Sequence, residues 1–83
     1  MKVLYFAWLR SKTGVGEETI DPPPGVDTVA DLIAHLRGRS PGHAAAFATL
    51  DVVRVAVNQD YGGLDTPVKP GDEVAFFPPV TGG

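Results

Sequence analysis

The sequence predicts an α+β fold: a mixed sheet with a main helix packed on one face. Three observations predict it. Residues 2–9 form an apolar run rich in strand formers, an amphipathic helix opens at Thr28, and strand patterns return at 53–58 and 73–77. At 83 residues the chain is read as one small domain, 1–83, ending in a flexible tail from about residue 78. A domain of this size buries a limited share of its surface, so most apolar residues must serve one core.

The run KVLYFAWL at 2–9 is nearly all apolar, which predicts a central strand covered at least partly on both faces. Lys12, Thr13 and Gly14 signal a turn, and residues 15–21 return as a more polar strand, making a hairpin. Three prolines and a glycine at 22–25 end it, since proline cannot donate to a ladder. Thr28 with Asp31 three residues on has the form of a capping box. Val29, Leu32, Ile33 and Leu36 then fall on one stripe of a helix. Arg37 and Arg39 suit its C-terminal dipole, and Gly38 suits a cap. Ser40 and Pro41 start a second short helical piece through Phe47.

Val53, Val55 and Val57 alternate onto one face of a half-buried strand. Gly62 and Gly63 mark a turn, as do Pro70, Gly71 and Asp72. The last strand, Glu73–Phe77, is stopped by Pro78 and Pro79. A hairpin, a crossover helix and later strands on one sheet make the plan of a β-grasp, or ubiquitin-like, fold.

Bulk properties exclude several classes. The net charge is −3 with seven scattered basic residues, which argues against nucleic-acid binding. No apolar run approaches the roughly 20 residues of a membrane span. The apolar start lacks a cleavage site, so no targeting segment is read and the expected location is the cytoplasm. There are no cysteines, so disulfides, thiolate metal sites and a catalytic thiol are excluded. A sulfur-handling role would need some other atom to hold the sulfur.

No ordinary catalytic set stands out. His35 and His43 have no metal-ligand spacing to carboxylates, so both are read as structural or surface residues and no metal is expected. Ser11 and Ser40 lack a nucleophile elbow. Gly14 and Gly16 belong to a hairpin turn, and Asp72 with Glu73 to a turn and an exposed strand start.

The C-terminus is different. Pro78 and Pro79 favour a stiff, extended exit, Val80 and Thr81 also prefer extended backbone, and Gly82 and Gly83 carry no side chains. Six such residues span about 20 Å when extended, and glycine permits close approach at the tip. A tail of this kind can thread a narrow channel and deliver the carboxylate of Gly83 to another protein's active site. Adenylation would give that carboxylate a good leaving group, and a sulfur nucleophile could then displace AMP and leave a thiocarboxylate. Phe76 and Phe77 point to opposite faces of one strand, and a small domain can hardly bury both, which suggests a partner surface beside the tail.

The final stretch, GDEVAFFPPVTGG at 71–83, resembles the C-terminal signature of the small subunit of molybdopterin synthase. VLYFAWLR at 3–10 is similar to that family's first strand, and AVNQ at 56–59 to its central strand. The resemblance implies a sulfur carrier of molybdenum cofactor biosynthesis whose Gly83 is adenylated and converted to a thiocarboxylate. An E1-like activating enzyme would use ATP, a sulfur donor would follow, and the chain itself would bind no cofactor. The sulfur would pass to cyclic pyranopterin monophosphate in the large synthase subunit, which would hold the catalytic residues. This chain would thus be a sulfur-donating, non-catalytic subunit of a heterotetramer of two small and two large subunits.

Carried over by motif, Gly82 neighbours the carrier residue in the partner's channel, and Pro78, Pro79, Val80 and Thr81 line the route in. Phe6, Tyr61 and Phe77 match an apolar contact patch, and Arg10 a polar interface contact. Two further readings stay open: a carrier for thiazole or amino-acid sulfur, or a ubiquitin-like modifier, and a plain β-grasp binding module.

Overall fold

The computed structural model describes residues 1–79. Five strands form one sheet: β1 (Lys2–Tyr5), β2 (Glu17–Thr19), β3 (Arg54–Val57), β4 (Asp60–Gly62) and β5 (Glu73–Phe77). Their order is β2-β1-β5-β3-β4. The last strand in the chain thus lies at the centre of the sheet, parallel to β1 and antiparallel to β3. Three helices, α1 (Trp8–Thr13), α2 (Val29–Arg37) and α3 (Pro41–Ala46), accompany it, with a 3₁₀ turn at Leu50–Val52. This is the predicted α+β, β-grasp arrangement, with a mixed sheet and the main helix on one face.

The register sorts the two faces. Val3, Val74 and Val57 stand opposite one another, as do Tyr5, Phe76 and Val55, and all are buried. They meet Val29, Leu32, Ile33 and Leu36 of α2, Leu9 of α1, and Ala46 and Phe47 around α3. Phe47 meets Phe76 edge-on at 4.9 Å between ring centroids, a favourable aromatic geometry.

The α2 start is as the sequence predicts. The Thr28 side chain accepts from the Asp31 amide, and Asp31 accepts from the Thr28 and Asp27 amides. These bonds hold the Asp31 carboxyl below the usual carboxylate range, the Asp27 amide acting most strongly. The amides of Val29 and Ala30, which a helix start leaves unpaired, donate to the carbonyls of Thr66 and Leu64. Gly38 does cap α2, but in a right-handed conformation with φ −82° that any residue could adopt. Ser40 caps α3 through the His43 amide.

Two predictions need correction. The strand expected at 2–9 ends at Tyr5, and Trp8 and Leu9 belong to α1. An unbroken apolar run has no period to separate strand from helix. Leu9 is fully buried from its helical position, so core packing decides. The hairpin turn expected at 12–14 is instead the end of α1, with Gly14 at φ 83° as a left-handed cap. β1 and β2 still pair antiparallel, but across a helix. Further along, Gly62 ends β4, and the turn before that strand is made by Asn58 and Gln59 at φ 51° and 73°. Two successive left-handed residues match the twist of a tight hairpin.

Candidate functional face and tail exit

The outer face of the sheet is set by the same register. Leu4, Ala75, Ala56 and Tyr61 form one row across β1, β5, β3 and β4, and Glu17 of β2 continues it. Phe77 follows on β5, opposite Arg54. Helix side chains bury the other face, whereas here Leu4, Ala75 and Phe77 stay partly exposed and Tyr61 is 83% exposed, with only Ala56 buried between them. Exposed apolar side chains grouped in this way make the face a candidate interaction surface.

Three of the four interface residues named from sequence stand on this side of the tail exit. Tyr61 and Phe77 pack together, their ring centroids 5.8 Å apart. Phe6 lies one residue past β1, is 50% exposed, and extends the parallel ladder by donating from its amide to the Phe76 carbonyl. Arg10 is exposed on α1 and lines a hollow together with Phe6, Ala7, Gly16 and Glu17. A second hollow, lined by Arg54, Tyr61, Gly62 and Phe77, lies on the other side of β5. The central strand therefore leaves the sheet between two hollows. Pro78 and Pro79 follow it and are half-buried. Val80, Thr81, Gly82 and Gly83, the rest of the expected tail, lie outside the described residues.

Ala7 sits at φ 55° and ψ −131°, a region that residues with a Cβ rarely occupy. The chain accepts this strain where it turns from β1 into α1, beside the exposed Phe6.

No sequence pattern points to a part-buried polar cluster beneath β1 and β2. One Glu18 carboxylate oxygen accepts from the Tyr5 hydroxyl at 2.7 Å and lies 2.7 Å from His43 Nε2. The other meets Arg39 at 3.1 Å. His43 Nδ1 lies 2.7 Å from Ser40 Oγ, and its ring stands edge-on to Tyr5. Burial pushes the Glu18 carboxyl up, but Tyr5, His43 and Arg39 outweigh it and hold the group below its ordinary value. Burial, then the hydrogen bond and charge of Glu18, push the Tyr5 hydroxyl well up. Ser40, His43 and Glu18 have the residue types of a nucleophile relay, but Ser40 Oγ already caps α3 and His43 is buried. The sequence reading of His43 as structural fits this place. Its partner Glu18 is 25 residues away in sequence, so no local pattern could have revealed the pair.

A larger hollow on the helical side is lined by Val29, Ile33, Leu50, Val53 and Leu64 together with the polar Asp51 and Arg54. Among the described residues no group of three or more histidines, cysteines or acids could hold a metal ion, and no helix is long and apolar enough to cross a membrane.

The profile described as the ThiS family matches residues 3–83. The chain is 41% identical over 83 residues to the molybdopterin synthase sulfur carrier subunit of Escherichia coli K12, covering 100% of this chain and 99% of that one. Among solved structures it is similar to the small archaeal modifier protein 1 of H. volcanii, with a TM-score of 0.78, 30% identity, and coverage of 96% and 97%. It is also similar to a chain in the complex of subunits 1 and 2 of the molybdopterin-converting factor from Helicobacter pylori 26695. That TM-score is 0.65, with 26% identity and coverage of 99% and 96%.

Proposed function

The chain belongs to the ThiS family, together with the molybdopterin synthase sulfur carrier subunits, and on that premise we propose that it carries sulfur for molybdopterin synthesis on Gly83. The observation that carries this reading is the tail exit. The central strand β5 leaves a bare apolar sheet face and leads through Pro78 and Pro79 toward two terminal glycines. Docking by the face and threading by the tail are then one movement.

In this reading the Gly83 carboxylate attacks the α-phosphate of ATP on an E1-like enzyme and releases pyrophosphate. A sulfur donor displaces AMP from the acyl adenylate, and a thiocarboxylate remains. The absence of cysteine suits a carrier that holds sulfur on its terminal carbonyl carbon. The face formed by Phe6, Tyr61 and Phe77, with Arg10 at its margin, docks on the large synthase subunit. The tail, Pro78 to Gly82, places Gly83 in that subunit's active site. There the sulfur passes to cyclic pyranopterin monophosphate, and two carriers in succession supply two sulfurs. The complex of subunits 1 and 2 in the Helicobacter pylori relative supports a large-subunit partner. The heterotetramer, the activating enzyme and a cytoplasmic location belong to the same proposal.

Intact mass spectrometry tests it. After incubation with the activating enzyme, ATP and a sulfur source, the full chain should gain the mass difference between sulfur and oxygen. A chain lacking Gly83 should not gain it and should not support molybdopterin formation. Sulfur transfer by the truncated chain would overturn the proposal.

The likeness to the small archaeal modifier protein favours a second reading, in which the same activated glycine is joined to a lysine of another protein. Isopeptide-linked conjugates that disappear on deletion of Gly83 would support it.

A further inference from the structure

Helix α1 carries Arg10 and follows Phe6, yet it has little to hold itself together. It is six residues long, and its N-cap, Ala7, offers no side-chain hydrogen bond. Helices this short are not stable alone. Its position must come from its neighbours: Leu9 anchors one side in the core, and two glycines show two further supports.

A Cβ at Gly42, on α3, would collide with the Lys12 carbonyl oxygen, so the backbones of α1 and α3 meet there without side chains between them. On the other side, a Cβ at Gly16 would stand 3.2 Å from the Arg10 guanidinium carbon. The Gly16 carbonyl also accepts from the Tyr5 amide at 2.8 Å. Thus α1 lies between α3 and the residue just before β2, and Arg10 rests on the latter.

Those two supports are joined at one group. Glu18 is two residues past Gly16, and His43 is the residue after Gly42. The Glu18 carboxylate binds His43 from α3, Tyr5 from β1 and Arg39 from the connection between α2 and α3. β2 is a three-residue edge strand, too short to set its own place firmly. His43 bridges Ser40 and Glu18 through its two ring nitrogens, each 2.7 Å from its oxygen partner.

We propose that Glu18 and His43 are positioning residues for partner docking: their buried cluster clamps β2 to α3 and so fixes α1, Arg10 and the Phe6 turn. Neither residue touches the docking face. They act through Gly16 and Gly42 on a helix that cannot order itself. The docking half of this inference rests on the function proposed above; the clamping of α1 does not.

The test uses the full chain with three substitutions: Glu18→Ala removes the acceptor, Glu18→Gln keeps its shape and part of its bonding, and Tyr5→Phe removes only one hydroxyl. Hydrogen exchange is measured for the amides of α1 relative to those of α2, and affinity for the large synthase subunit is measured at a temperature where each variant is folded. Glu18→Ala should speed α1 exchange about tenfold more than α2 exchange, a local opening rather than global unfolding. Its affinity should fall about tenfold, with Glu18→Gln restoring much of both effects. Tyr5→Phe should move both in the same direction by less, and it decides the matter if Glu18→Ala does not fold. Equal acceleration of α1 and α2, or none, would overturn the clamp. Faster α1 exchange with unchanged affinity would overturn its link to docking. If the wild-type chain itself does not bind the large subunit, the functional reading falls while the exchange ratio still decides the clamp.

Discussion

Phe76 and Phe77 are neighbours on one strand and have opposite fates. Phe76 is fully buried, stacked on Tyr5 and edge-on to Phe47, whereas Phe77 is half-buried and packs beside Tyr61. The strand's twofold alternation gives each face one aromatic. The helices cover one face and leave the other bare. One strand therefore builds the core with one side and leaves the other partly exposed. The tail follows the same strand, so in the proposed reading folding and docking are set at a single position of the sheet.

Truncating each ring in turn separates the two faces most sharply. Phe76→Ala should cost about 3–5 kcal/mol, because the helices and sheet cannot close fully over the lost volume. In a domain this small that is a large share of the total stability. Phe77→Ala should cost much less in stability but weaken binding to the large subunit by about tenfold or more if Phe77 sits near the centre of the interface. Chemical denaturation of each variant, paired with a binding isotherm, measures both effects. Equal loss of stability from the two substitutions would mean that the outer face is not free.

Acid should act on the Glu18 cluster behind the outer face, where folding holds a carboxylate among Tyr5, His43 and Arg39. Glu18, Asp31 and Asp72 all have folded-state values held below the ordinary carboxylate range, Asp72 chiefly through the Asn58 side chain. For groups depressed on folding, the contribution is present above the unfolded value of about 4 and is lost as pH falls through the folded value. Stability should therefore be level near neutrality and decline below about pH 4. In Glu18→Gln the decline should be shallower, because one of the three carboxylates no longer titrates. Thermal melts across that range check it, and identical slopes for the two chains would remove Glu18 from the account.

The same two faces explain what was legible in the sequence. The α2 stripe and its capping box could be read because helical spacing and a cap residue are local signals, and Val29, Leu32, Ile33 and Leu36 are all buried as predicted. β5 was legible from its flanks, a glycine turn before it and two prolines after it. The aromatic pair at 76–77 pointed to two faces, since alternation is also local. The stretch 6–9 was misread because an unbroken apolar run shows no period, although only Leu9 of the four is buried, and the strained turn at Ala7 carries no glycine to announce it. The Glu18 cluster was invisible for a different reason. Its members lie on β1, β2 and α3 and meet only when the chain has folded.

Ala7 offers the smallest and most local perturbation of the comparison. Its backbone occupies a region that costs of order 1–3 kcal/mol for a residue with a Cβ, and glycine enters it freely. Glycine also loses more chain entropy on folding, by roughly 0.5–1 kcal/mol. Ala7→Gly should therefore leave the domain about 1 kcal/mol more stable, with the core side unchanged. On the docking side the effect should have the opposite sign, because glycine lets the Phe6–Trp8 turn sample other conformations and loosens the placement of Phe6. Greater stability with weaker association, measured on the same sample, would show that strain at this turn serves the exposed face. A gain in both would mean that Ala7 merely tolerates the turn.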